Sequence, residues 1–368
     1  MIYILNFIIT LILAFITQNL YINKKNKYIK IIFLSFTFIF LFIIYSMRGN
    51  VGIDYNQYSR IYDNISYYNV SSLNNLLEVS NVWEVEPGFV IINILSNKLG
   101  LGVQGVYIFT TIIFMIFFLK ALDYYDNKRE NLTFILLIFL SQLFFKGMDA
   151  VRQFITIMMF FYSTKFIVEK NIFKYLIVII IGSLFHKSIL FMIPVYFINK
   201  LNLNILKFLI LFILSIIFSK FLTFDYIINF LSMIFPNMFY LKYIGRDATY
   251  GGTVGIVYII YFMFSILILF NIRKIYDKKD LICIKFFLIY IILFPYFSTS
   301  LSLVRILLYI NIFIILSIPI YRKYIPKNYK FLYTFFWVSL FIVLFFSSIK
   351  GAYCNLDRNI IPYKFFWE

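Results

Sequence analysis

"IFKYLIVIIIGSLFHKSILFMIPVYFIN", residues 172–199, decides how the whole chain is threaded. The stretch is apolar for most of its length, yet His186, Lys187 and Ser188 interrupt it near the centre. As one membrane span it sends every later loop to one side; as two short crossings that turn near His186 it sends them to the other. Basic residues settle the choice, because cytoplasmic loops are enriched in them. With two crossings, and with 86–99 dipping in and returning, most lysines and arginines fall in six short inner loops, at 24–30, 120–129, 165–174, 200–207, 273–285 and 322–330. With one crossing, the dense cluster RKIYDKKD at 273–280 lands outside, against that rule.

Outward from this stretch, apolar runs suited to crossing lie at 2–20, 31–47, 103–121, 131–146, 151–168, 205–222, 253–272, 281–297, 303–321 and 330–349. The chain is 62% hydrophobic and 14% charged, where a soluble chain is roughly a quarter charged, so its solvent is lipid. A formal charge of +18 would suggest nucleic acid in a soluble protein, but here the basic residues sit in gaps between apolar runs and read as topology. The first twenty residues have no basic leader before the apolar run and no small-residue cleavage site, which predicts an uncleaved first helix with its N-terminus outside.

The expectation is an all-α integral membrane protein of about twelve transmembrane segments with both termini outside, some of them short, broken or re-entrant. Fourteen helical residues rise only about 21 Å against a hydrocarbon core of about 30 Å, so the halves of 172–199 must lie within protein or line a wet cavity. No repeat or linker divides the chain, which predicts one polytopic domain, 1–368, capped by outer loops 48–102 and 223–252 and the tail 350–368. Cys283 falls within the membrane and Cys354 in the outer tail, so neither a disulfide framework nor a metal site is implied.

This threading puts the chemistry-bearing residues Asp54, Glu86, Arg152, His186 and Arg305 on the outer face. His186 is the only histidine, and a neutral imidazole can accept a proton at working pH; the plainer alternative is a helix residue bonded to a carbonyl. Asp149 and Arg152 sit three apart in KGMDAVRQF (146–154), compatible with a local ion pair worth a few tenths of a kcal/mol. Arg305 in SLVRILLY stands at the equivalent entrance of another span, and Arg48 and Arg246 can join from the loops. Arginines at one membrane depth call for an anion, and the guanidinium fork suits phosphate or diphosphate; separate interface anchors are the alternative. Asp54 and Glu86 border membrane segments, where a carboxylate can activate a hydroxyl, hold sugar hydroxyls or balance an arginine. Tyrosines of the first outer loop, Tyr55 and Tyr58 among them, can stack on sugars or serve as an interface belt. There is no Asp-x-Asp pair, histidine cluster or Cys-x-x-Cys, and no Walker or dinucleotide-binding loop, so no metal or cofactor is expected and the driving force lies in the substrate.

Taken together, RGNVGIDYNQY (48–58), EPGFVIINIL (86–95), DAVRQFITIMMFFYS (149–163), FHKSILFMIP (185–194), LVRILLYI (303–310) and NIIPYKF (359–365) resemble the EpsG-type, Wzy-like polysaccharide polymerases of bacteria, in order and spacing. Ile53 stands where that family often has threonine, and Thr156 where alanine is common; neither change touches a charged position. The resemblance implies a GT-C-type membrane glycosyltransferase of the plasma membrane. It would join glycans carried on undecaprenyl diphosphate, at the outer face, into surface polysaccharide. Arg152 and Arg305, with Arg48 and Arg246, would then hold the diphosphate, with Tyr55 and Gln153 as further substrate contacts. His186 is the first candidate for the base, ahead of Asp54 and Glu86, and a single base with direct displacement inverts the anomeric carbon. The expected partners are the lipid-linked oligosaccharide, the bilayer, and a flippase and chain-length regulator of the same pathway; nucleic acid is not expected. The rival readings are a flippase for the same glycans and a membrane O-acyltransferase.

Overall fold

The computed structural model describes residues 1–221, 226, 255–354 and 360–368; Arg246 and nearly all of 223–252 lie outside them. Among the described residues the chain is helical, with an isolated bridge between Arg48 and Phe365 and no extended strand. It divides into two compact units, Met1–Ile193 with Ile318–Glu368, and Pro194–Ser317.

In the first unit α1 (Ile2–Ile22) and α2 (Lys27–Ser46) form a hairpin, with Asn26 capping α2 through the amide of Tyr28. Lipid gives two apolar helices little reason to associate, so hydroxyl groups join them: Thr17 and Thr37 meet Oγ1 to Oγ1 at 3.2 Å. The loop that follows folds into α3 (Tyr55–Ile65), α4 (Leu73–Val82) and α5 (Pro87–Lys98). α3 buries Tyr58, Tyr62 and Ile65 and exposes Asn56, Arg60 and Asp63, the pattern of a helix lying on a surface. Its apolar face packs onto Phe89 and Val90 of α5 and onto Val106 and Tyr107 of α6 (Gly102–Tyr125). α7 (Leu132–Gln142), the short α8 (Phe144–Asp149), α9 (Val151–Val168) and α10 (Ile172–Ser183) complete the run. α6 and α9 are joined by Tyr125 and Thr164 at 2.8 Å, and Ser141 of α7 donates to the Phe341 carbonyl of the last helix, Lys330–Cys354, at 2.8 Å.

The C-terminal tail returns to the start of the loop after α2. Gly49 N–H donates to the Lys364 carbonyl at 2.9 Å and Phe366 N–H to that of Met47 at 3.0 Å, while Tyr3 donates to the carbonyl of the buried Ile360 at 2.8 Å. Only glycine fits at 49, because a Cβ there would lie 2.7 Å from the Phe366 Cα.

In the second unit Asp277, inside the basic cluster, caps Lys278–Phe297 through the amide of Lys279 at 2.7 Å. Tyr258 of Ile256–Phe270 donates to the Ile291 carbonyl, and its ring stacks on Phe294 at 4.3 Å. Cys283 is buried.

Among the described residues five helices are long and apolar enough to cross a membrane: α1, α2, α6, Lys278–Phe297 and Lys327–Gly351. The pair Leu301–Asn311 and Ile314–Tyr324, bent by 40°, makes a sixth if it is one span. The chain is an all-helical membrane protein by this measure. Reaching twelve crossings requires shorter segments to cross among their neighbours. The deciding stretch 172–199 is not one helix: α10 stops at Ser183, and a 3-10 run, Lys187–Lys200, follows the bend at His186. α5 and α10 have twelve residues each, a rise of about 18 Å.

Charge bias and the surface residues give a direct topological test. With Cys283 and Cys354 replaced by serine, Gln57→Cys is expected to react with an impermeant maleimide in intact cells. Tyr276→Cys, in the exposed basic loop, is expected to react only after permeabilisation. The reverse pattern overturns the threading.

Candidate active site

The sequence Glu-Pro-Gly at 86–88 builds the centre of the first unit. Proline keeps the residue before it out of the helical region, and Glu86 is extended at φ −63°, ψ 143° while Pro87 starts α5. Glu86 therefore stands at the N-cap, but its carboxylate does not cap its own helix. It reaches two other segments instead. Gly88 allows this approach: its N–H donates to the Leu184 carbonyl at 2.8 Å, and a Cβ there would meet that same oxygen at 2.8 Å.

Glu86 is 8% exposed at its side chain, and a carboxylate so buried needs partners. Arg152, in the first turn of α9, donates from Nη1 to Oε2 at 2.7 Å. On the other oxygen, Oε1 accepts the Lys187 N–H at 3.2 Å, and the His186 Nδ1 lies 3.3 Å away, within ion-pair reach but off the line of a hydrogen bond. Burial pushes the Glu86 carboxyl up, but the imidazole and guanidinium beside it outweigh burial and bring it down to about 2. The local Asp149–Arg152 pair that the spacing allows is not the arrangement found. A buried partner that costs about 3–5 kcal/mol to lose outranks a surface pair worth a few tenths.

Aromatic rings carry the arginines. The Arg152 guanidinium lies 5.5 Å from the centre of Phe89 and 5.9 Å from that of Tyr58. Tyr58 in turn meets Tyr107 edge-on at 6.4 Å, and Tyr107 stacks on Tyr55 at 5.1 Å. Arg48 sits on the far side of this layer, 4.6 Å from the Tyr107 centre, 1% exposed, donating to the Met148 carbonyl at 2.6 Å. Asp149 accepts the Ile53 N–H at 3.2 Å, so it anchors the loop that leads to Asp54.

The structure thus brings Arg152 and His186 each against the carboxylate of Glu86 and seats Arg48 and Tyr55 on the adjoining Tyr107. Asp54 is half-buried at the N-cap of α3, and Gln153 is buried beside Arg152. Arg305 is exposed on Leu301–Asn311 in the second unit, and Arg246 lies outside the described residues. In the linear sequence Tyr58 is one of several loop tyrosines, and nothing singles out Phe89, Tyr107, Gly88 or the Lys187 amide. The 58–62–65 spacing on α3 was the signal for the first; the others depend on contacts between distant segments. Among the described residues no group of three or more His, Cys, Asp or Glu is arranged to hold a metal ion.

A family model described as EpsG family matches residues 31–365. No curated protein and no solved structure matches the chain.

Two outcomes follow from the geometry around Glu86. Gly88→Ala is expected to lower stability by about 1–3 kcal/mol in thermal melts in detergent, because backbone at Leu184 must give way. The second concerns acid. A carboxyl held below its ordinary value of 4.5 contributes stability that is complete above that value and is lost as the pH falls towards about 2. Wild type is therefore expected to lose more of its melting temperature than Glu86→Gln between about pH 5 and pH 3; equal losses contradict the pairing.

Proposed function

The chain belongs to the EpsG family, and from that membership we propose that it is a membrane glycosyltransferase that polymerises lipid-linked repeat units into surface polysaccharide. The substrates in this reading are oligosaccharides on undecaprenyl diphosphate at the outer face of the bacterial plasma membrane, and the architecture is of GT-C type. The outer loops and tail form the cap. A flippase and a chain-length regulator are the pathway partners.

The observation that carries the reading is the meeting of His186, Glu86 and Arg152 where α5, α9 and the bend after α10 converge. It pairs a titratable base with a guanidinium suited to diphosphate. In the proposed step, His186 takes the proton of an acceptor hydroxyl as that oxygen bonds to the anomeric carbon of the growing glycan. The bond from that carbon to the diphosphate breaks, and lipid diphosphate leaves with the electron pair. Arg152 neutralises the charge that develops on the leaving oxygen. The imidazolium then releases its proton, and the products are a longer lipid-linked glycan and free lipid diphosphate. One displacement inverts the configuration at the reacting carbon. Arg246 and Arg305 are proposed as further diphosphate contacts on the charge-derived threading alone, and Tyr55 and Gln153 as contacts to the substrate. Arg48 is assigned to holding the loop, since its guanidinium is enclosed by Tyr107 and Met148.

The test is reconstitution. Purified protein given a lipid-linked repeat unit is expected to make a ladder of products, read by mass, whether or not a chelator is present, since arginine supplies the positive charge. His186→Ala is expected to slow elongation by at least about 100-fold, and Arg152→Lys, which keeps charge but loses the fork, to slow it as well. Full elongation by His186→Ala, or a strict metal requirement, overturns the mechanism. In a null strain, single repeat units at the surface support a polymerase. Their absence supports a flippase instead, and normal chain length with altered acyl decoration an acyltransferase.

A further inference from the structure

Resting on the polymerase reading, we propose that Glu86 is a positioning residue: its carboxylate holds the Nδ1 edge of His186 and so leaves Nε2 to accept the proton of the incoming hydroxyl. Both carboxylate oxygens are already engaged, Oε2 by Arg152 at 2.7 Å and Oε1 by the Lys187 amide at 3.2 Å. A carboxylate fixed at both ends and held in its ionised form is a poor proton acceptor in its own right. It is a good fixed anion.

The imidazole lies against that anion in one orientation. Nδ1 is buried and 3.3 Å from Oε1, whereas the side chain as a whole is 29% exposed, so its open surface belongs to the other ring atoms. Even off the line of a hydrogen bond, a lone pair on Nδ1 would lie 3.3 Å from negative charge and be disfavoured, whereas a proton there is attracted. The neutral ring therefore carries its proton on Nδ1 and its lone pair on Nε2. The backbone enforces the same register independently: the bond from Gly88 N–H to the Leu184 carbonyl ties the start of α5 to the bend that bears His186. The charged and titratable groups around the ring are Glu86, Arg152 on the same carboxylate with Tyr58 beyond it, and the chain neighbour Lys187.

His186 is the only histidine, so protein labelled with nitrogen-15 in histidine alone gives one set of ring signals. Wild type in detergent is expected to show the Nδ1–H tautomer when neutral, and Glu86→Gln a mixture. In the reconstituted reaction Glu86→Gln is expected to lower kcat by about 100-fold or more with a much smaller change in KM, and Glu86→Asp to restore part of the loss. An Nε2–H tautomer in wild type overturns the proposal even if every variant folds poorly. So does a tautomer that is unmoved in a folded Glu86→Gln protein. The tautomer is read without substrate, so it stands or falls separately from the polymerase reading, which fails if His186→Ala elongates normally.

Discussion

A buried carboxylate must be paired, and the first unit is organised around meeting that demand for Glu86. Taking one ion out of water costs several kcal/mol after relaxation, far more than any single helix contact returns. Two segments distant in sequence supply the compensation: α9 through Arg152, and the bend after α10 through His186 and the amide of Lys187. The helices around them are placed so that these groups converge. Apolar packing alone would tolerate many other arrangements of such similar helices.

Much of the architecture was legible in the sequence because the constraints behind it are one-dimensional. Length and apolarity mark α1, α2 and α6 directly, and the interruption at His186 marks where 172–199 must break. The shortness of α5 follows from the glutamate and proline before it and the glycine at 100, which adopts φ +68° just past its end. Partnership was not legible in the same way. Arg152 has an acid three residues before it and takes one sixty-six residues away instead. The choice depends on burial, and burial depends on how helices stack.

Arg48 shows the same limit from the other side. A charge at the end of an apolar run reads naturally as something facing water and substrate. Here the guanidinium sits over the Tyr107 ring and binds a carbonyl of α8, with 1% of its surface open. A planar, weakly hydrated cation packs against an aromatic face at little cost, so an arginine can take the place of a core residue where lysine cannot. The tyrosines of α3 and α6 form the surface on which both arginines rest.

The return of the tail to Met47 and Gly49 makes residues 364–366 part of the foundation of the loop after α2. The carboxyl end is thereby a clasp and not a loose thread. A fusion partner or affinity handle grafted directly after Glu368 pulls on the same two backbone hydrogen bonds that secure the segment leading to Asp54, so the handle belongs on a spacer long enough to leave that clasp shut.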